Sequence, residues 1–132
     1  MRSPAIILLA TLGLTGVAHA QSTPPASSAP KFIAIGNNAI LSSRLIGLNV
    51  QSASGESVGK IEDIAFEGGE ISGVVLSIGE VLGGGPRYAA VDPSAISIKY
   101  MEAEGKWQAT MNATLEQLQS APEFRYEGKW KR

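Results

Sequence analysis

The stretch Gly55-Glu56-Ser57-Val58-Gly59-Lys60-Ile61-Glu62-Asp63-Ile64 decides how the chain is to be read. Two glycines bracket a polar stretch, and a lysine and two acids follow. A phosphate loop needs G-x-x-x-x-G-K-[ST], so that backbone amides wrap the phosphates and a hydroxyl reaches a magnesium ion. Here the spacer between Gly55 and Gly59 is one residue short, and Ile61 stands where the hydroxyl is required. A calcium loop needs oxygens converging from alternate positions. Glu62 and Asp63 are adjacent, so on a strand they point to opposite faces, while Glu67 and Glu70 straddle a turn. The structural reading uses every residue. Gly55 turns the chain, and Gly59 lets strands cross closely or bend. Val58, Ile61, Ile64 and Phe66 drift out of a two-residue alternation, which a bulge near Glu62-Asp63 reconciles. Asp63 then accepts hydrogen bonds from the backbone amides of a neighbouring turn.

On either side of this stretch the pattern is short apolar runs separated by turn residues. Leu45 to Val50 enters a first strand, Val58 to Phe66 forms a second and Ile71 to Ile78 a third. In the third, Val74, Leu76 and Ile78 share one face. Glu67-Gly68-Gly69-Glu70 reads as a tight reversal, because glycines adopt positive φ at little cost. Tyr88 to Val91, Ala95 to Tyr100 and Trp107 to Met111 complete the set. The spacing predicts a mainly β fold, a small antiparallel β-barrel of about six short strands. One short C-terminal helix is added by Thr114-Leu115-Glu116-Gln117-Leu118, which opens with a Thr-x-x-Gln capping box and stops before Pro122. It is expected to cover an open end of the barrel.

The first 20 residues have the form of an export signal. Arg2 supplies a positive start, Ala5 to Val17 an apolar run, and Ala18-His19-Ala20 a small-x-small cleavage site. The run is too short to span a bilayer, whose core needs about 20 helical residues. The expectation is a periplasmic or secreted protein cleaved after Ala20, with no integral membrane span once the signal is removed. Residues 21–38 begin QSTPPASSAP and form a flexible Ser/Pro/Ala-rich tether, in which Phe32, Ile33 and Ile35 make a short strand or dock on the domain. The barrel domain occupies 39–122, and 123–132 is an aromatic and basic C-terminal tail.

Composition removes several function classes. The chain of 132 residues has no cysteine, which excludes disulfides, thiol chemistry and a lipid-modified N-terminus. Its only histidine, His19, lies inside the signal, so imidazole catalysis and ordinary zinc sites are not expected. Removing Arg2 from the 11 basic residues leaves 10 against 12 acidic ones. Nothing in that balance points to nucleic acid.

The order Leu45-Ile46-Gly47 … Val50, Gly55-Glu56-x-Val58-Gly59-Lys60-Ile61-x-Asp63 and Ile71-x-Gly73-Val74-Val75-Leu76-x-Ile78-Gly79 resembles the PRC-barrel family. The likeness continues through Arg87 to Pro93 and into Leu115-x-x-Leu118 … Ala121-Pro122, covering about residues 42–122. It implies a module without enzymatic activity or cofactor that positions other molecules, and it transfers no catalytic residue and no partner. Gly55, Gly59, Asp63 and Gly73 take structural roles in this scheme.

Two segments are candidates for contact with a partner. In the loop Gly79 to Pro86, Val81 and Leu82 are apolar anchors beside Gly83, Gly84 and Gly85, with Arg87 and Tyr88 at its base. The plainer reading, a hairpin connection needing positive φ, is preferred there. Trp107 is expected in the core or at a barrel end. Phe124, Tyr126 and Trp130 either pack back on the barrel or form an exposed strip that a partner covers. Three functions stay open: an exported interaction or scaffold module with an unknown protein partner, a homodimer among its options; a small-ligand carrier; and a carboxylate-based cell-wall enzyme. The first is preferred. A barrel this small is filled by its own side chains, and no two acids are spaced for one cleft.

Overall fold

The computed structural model describes residue 13, residues 29–80 and residues 85–132. The expected signal with its cleavage after Ala20, residues 21–28 of the tether, and Val81 to Gly84 of the glycine loop lie outside the described residues, Gly13 apart. The chain divides into two units, Met1–Ile35 and Gly36–Arg132. In the first, residues 29–35 contain no helix or strand, and Phe32, Ile33 and Ile35 are exposed. The strand expected there is not present.

The second unit holds six strands and two short helices. They run α1 (Ser42–Leu45), β1 (Asn49–Ser52), β2 (Ser57–Glu67), β3 (Glu70–Glu80), β4 (Pro86–Val91), β5 (Ile96–Met101), β6 (Lys106–Met111) and α2 (Leu115–Gln119). The fold class is as the sequence predicts. Strand boundaries fall within a residue or two of the apolar runs, except at the start. There Leu45 to Leu48 forms no strand: Leu45 ends α1, and Gly47 takes φ +87 and turns the chain before β1 begins at Asn49. The Gly47 amide then donates to the Ile61 carbonyl at 2.8 Å.

The strands pair in the order β4-β3-β2-β1-β6-β5. Four pairings are antiparallel, but β1 and β6 run parallel, with Val50 beside Ala109. The all-antiparallel expectation is corrected here: β1 and β6 are far apart in sequence and no hairpin dictates their sense. The ladder is not closed by hydrogen bonds, since β4 and β5 are its two edges. Side chains close what the backbone leaves open. Ala89 of β4 and Ile96 of β5 belong to one buried cluster with Val50, Val58, Ile61, Leu76, Ile78 and Ala109. Each fully buried aliphatic side chain contributes about 1.5–3 kcal/mol.

Local chemistry sets this curvature. The β2–β3 reversal has Glu67 opposite Glu70 and positive φ at both Gly68 and Gly69, the signature of a type I′ turn. The register of β2 against β3 slips between Ile61 and Asp63, so Glu62 is an extra residue in a bulge where the apolar phase breaks. A Cβ at Gly59 would stand 3.1 Å from the Ser77 carbonyl oxygen, a close strand approach that a side chain could share only if the strands gave by a few tenths of an ångström. Gly55 turns the β1–β2 connection, and Gly73 is buried between Ala65 and the Val91 carbonyl. Thr114 and Gln117 form the reciprocal capping box, and Leu118 of α2 reaches the core. The helix covers the barrel as expected.

Candidate functional site

Val75 is 3% exposed yet stands outside the interior cluster that holds its neighbours Val74 and Leu76. Side chains alternate along a strand, so Val75 faces away from the barrel interior. Its direct cross-strand partners are Asp63 on β2 and Ala90 on β4. Nearby, Ala65 pairs with Gly73 and Ser77 with Tyr88. Around Val75 the outer face of β2-β3-β4 carries the small side chains of Ala65, Gly73, Ser77 and Ala90, with Tyr88 beside them, and a second layer packs there.

Residues 123–132 supply that layer. The Phe124 amide donates to the Tyr88 carbonyl at 2.8 Å, a single β-bridge on the β4 edge. Aromatic rings then chain together: Tyr88 to Tyr126 at 5.1 Å and Phe124 to Tyr126 at 5.0 Å, both edge-to-face, and Phe124 to Trp130 at 6.0 Å. Such pairs contribute about 0.5–1.5 kcal/mol each beyond the area they bury. The Arg132 guanidinium lies 3.9 Å from the Tyr126 ring centre and 2.6 Å from Glu62 Oε1, with Asp63 Oδ2 at 3.7 Å. The bulge brings these two adjacent carboxylates to one cation, where a regular strand would send them to opposite faces. Asp63 also accepts from the Ile64 amide at 2.9 Å, so its backbone partner is the bulge itself and not a neighbouring turn.

Between this layer and the β2–β3 hairpin lies an open groove of about 820 Å³. Ile64, Phe66 and Val75 line one side of it, and Phe124 and Trp130 the other. Phe66 is 64% exposed and Trp130 57% exposed. Glu67 and Lys129 also line the groove. Among the described residues, no group of three or more His, Cys, Asp or Glu comes together.

The sequence candidates separate clearly in space. Trp130 belongs to the groove wall, and Tyr88 is half-buried beneath the aromatic layer. Arg87 is committed internally: Nη1 donates to the Gln119 carbonyl and Nη2 to the Ala121 carbonyl. It clamps the C-terminal end of α2, where a cation meets the negative end of the helix dipole. Gly85 is exposed with φ +78. Trp107 is half-buried and stacks edge-on against Tyr100 at 5.2 Å, on the β5–β6 pair away from the groove. Sequence reasoning missed Phe66 and Val75 as groove residues. The signal was available in the unbroken apolar run Gly73-Val74-Val75-Leu76, which marks a strand covered on both faces.

Tyr126 gives the layer a titratable reporter. Burial pushes its hydroxyl up from 10.0 to about 12; the Arg132 cation opposes this, and Asp63, Glu62 and Tyr88 add to it. A raised pKa means that the fold prefers the neutral phenol. This contribution is whole below pH 10 and is lost as pH climbs through about 12. Tyr126→Phe is expected to remove this alkaline loss, measured as melting temperature against pH beside the unsubstituted protein. Tyrosinate absorbance should show one late-titrating tyrosine that the variant lacks.

The PRC-barrel domain family model matches residues 37–113. Among curated proteins none matches the chain. The matched span takes in all six strands and ends before α2 and the aromatic layer. With more than half of its length matched, and with the coiled six-stranded sheet that the sequence predicts, the chain belongs to the PRC-barrel domain family.

Proposed function

We propose that this protein is an exported, non-enzymatic PRC-barrel module that binds a protein partner through the groove between the β2–β3 hairpin and residues 123–132. The groove itself carries the reading. It is open, its floor is apolar, and Phe66 and Trp130 stand exposed on facing walls. Exposed large apolar side chains around a concave surface, with charges at the rim, are the anatomy of a protein-binding site. Export is supported by the charged, apolar and small-residue sequence of residues 1–20. A small-ligand site is the second reading, favoured by a volume inside the range of about 300–1,000 Å³ typical of ligand pockets.

A photo-reactive phenylalanine analogue placed at Phe66, compared with one at Ala103 in the exposed β5–β6 turn, tests the main reading in living cells. Discrete protein adducts from position 66 and none from position 103 are expected. Equal labelling at both positions, or none at 66, overturns it. Native mass spectrometry of the purified protein distinguishes the ligand reading through a retained small mass. The same preparation tests export, since cleavage leaves Gln21 as the first residue.

A further inference from the structure

Besides Asp63 and Arg132, which pair with each other, the groove carries one acid and one base that are not paired. Glu67 stands on the hairpin side and Lys129 on the side of residues 123–132. Among the described residues, neither forms an ion pair, and the same holds for Glu70 and Lys131. Glu67 and Glu70 face each other directly across the hairpin, an arrangement of like charges that destabilises a strand pair unless a cation approaches from outside. Next to them Phe66 pairs with Ile71, 64% and 47% exposed. Across the groove Lys129 and Lys131 flank Trp130, which is 57% exposed, with the Lys129 ammonium 5.4 Å from its ring.

We infer that the groove's partner is a second copy of this chain, joined about a two-fold axis so that each hairpin tip seats against the partner's residues 129–131. The inference rests on the reading of the groove as a protein-binding site and names its occupant. An isologous contact requires one patch to hold both halves of a complementary pair, so that residue i meets j while j meets i. This patch does so. Glu67 and Glu70 of one copy meet Lys129 and Lys131 of the other, and Phe66 with Ile71 meets Trp130. Both unpaired carboxylates and both unpaired ammonium groups gain partners at once, and the exposed aromatics leave water together. An unrelated partner would need the same alternation of acid, apolar and basic groups in reverse order. A second copy has it by symmetry.

Charge exchange tests this. Sedimentation velocity over a wide range of concentration is run on the unsubstituted protein, on Glu67→Lys/Glu70→Lys, on Lys129→Glu/Lys131→Glu, and on an equimolar mixture of the two variants. The unsubstituted protein is expected to dimerise. Each variant alone should dissociate at least tenfold more readily, which is about 1.4 kcal/mol. The mixture should recover the dimer, because acid meets base again at both contacts. Far-ultraviolet circular dichroism and the melting temperature verify that both variants fold. A protein that stays monomeric at every concentration overturns the inference, as do variants that dimerise unchanged or a mixture that fails to recover. Adducts from position 66 to a different protein, together with a monomer, would remove the dimer and leave the protein-binding reading standing.

Discussion

Leu76→Ala should lower the stability of the domain by about 3 kcal/mol, the largest loss expected from any single truncation in this fold. Leu76 is 0% exposed, lies at the middle of β3, and belongs to the cluster that both edge strands share. Its neighbours come from the strands themselves, which are held by ladder hydrogen bonds and cannot collapse into the vacated space. The cost therefore includes the cavity as well as the lost transfer free energy. Domains of this size hold about 5–15 kcal/mol in total, so a large fraction disappears. Urea unfolding followed by tryptophan fluorescence should show a lower midpoint at unchanged slope. A midpoint within error of the unsubstituted protein would mean that the barrel interior is not the continuous core described above.

Tyr126→Ala is the second large effect, about 2 kcal/mol. The ring contacts Tyr88 at 5.1 Å and Phe124 at 5.0 Å, carries the Arg132 guanidinium at 3.9 Å, and covers the outer face of the sheet. Two edge-to-face pairs and one cation–π contact at typical strengths account for most of that figure. The consequence reaches further than stability. Trp130 is placed through Phe124, and Phe124 through Tyr126, so the facing wall of the groove loosens with the same substitution. Acrylamide quenching of Trp130 fluorescence, measured in a Trp107→Phe background, should rise in Tyr126→Ala. The conservative Tyr126→Phe should change it little at neutral pH, because it keeps the ring contacts and loses only the long 3.5 Å hydrogen bond that the hydroxyl donates to Asp63 Oδ2.

Much of this architecture could be read from residue order. The break in apolar phase at Glu62-Asp63 locates the bulge, Gly68-Gly69 the type I′ reversal, and Thr114 with Gln117 the capping box. Each is a short-range device whose cause and effect lie within a few residues. What escaped is long-range or two-sided. The parallel pairing of β1 with β6 leaves no local mark. α1 escaped because Ser42-Ser43-Arg44-Leu45 lacks a side-chain cap. The groove is half visible in the sequence: Trp130 is a candidate there, but the opposite wall includes Phe66, which sits beside the second register slip at Ala65 and carries no local mark of its exposure. Arg87 reads as the base of the glycine loop until α2 is placed, after which the carbonyls of Gln119, at the helix end, and Ala121, just beyond it, claim its guanidinium.

The pairing of Val50 with Ala109 also governs when the sheet can be finished. The ribosome delivers β1 first and β6 last, and until Ala109 has emerged one flank of β1 has no neighbour and β5 has none at all. At about 10 residues per second the wait is about 6 s. Contacts this distant in sequence are slow to form. A nascent chain holding five strands is therefore still threadable, and commitment to the native topology is deferred to the last strand made.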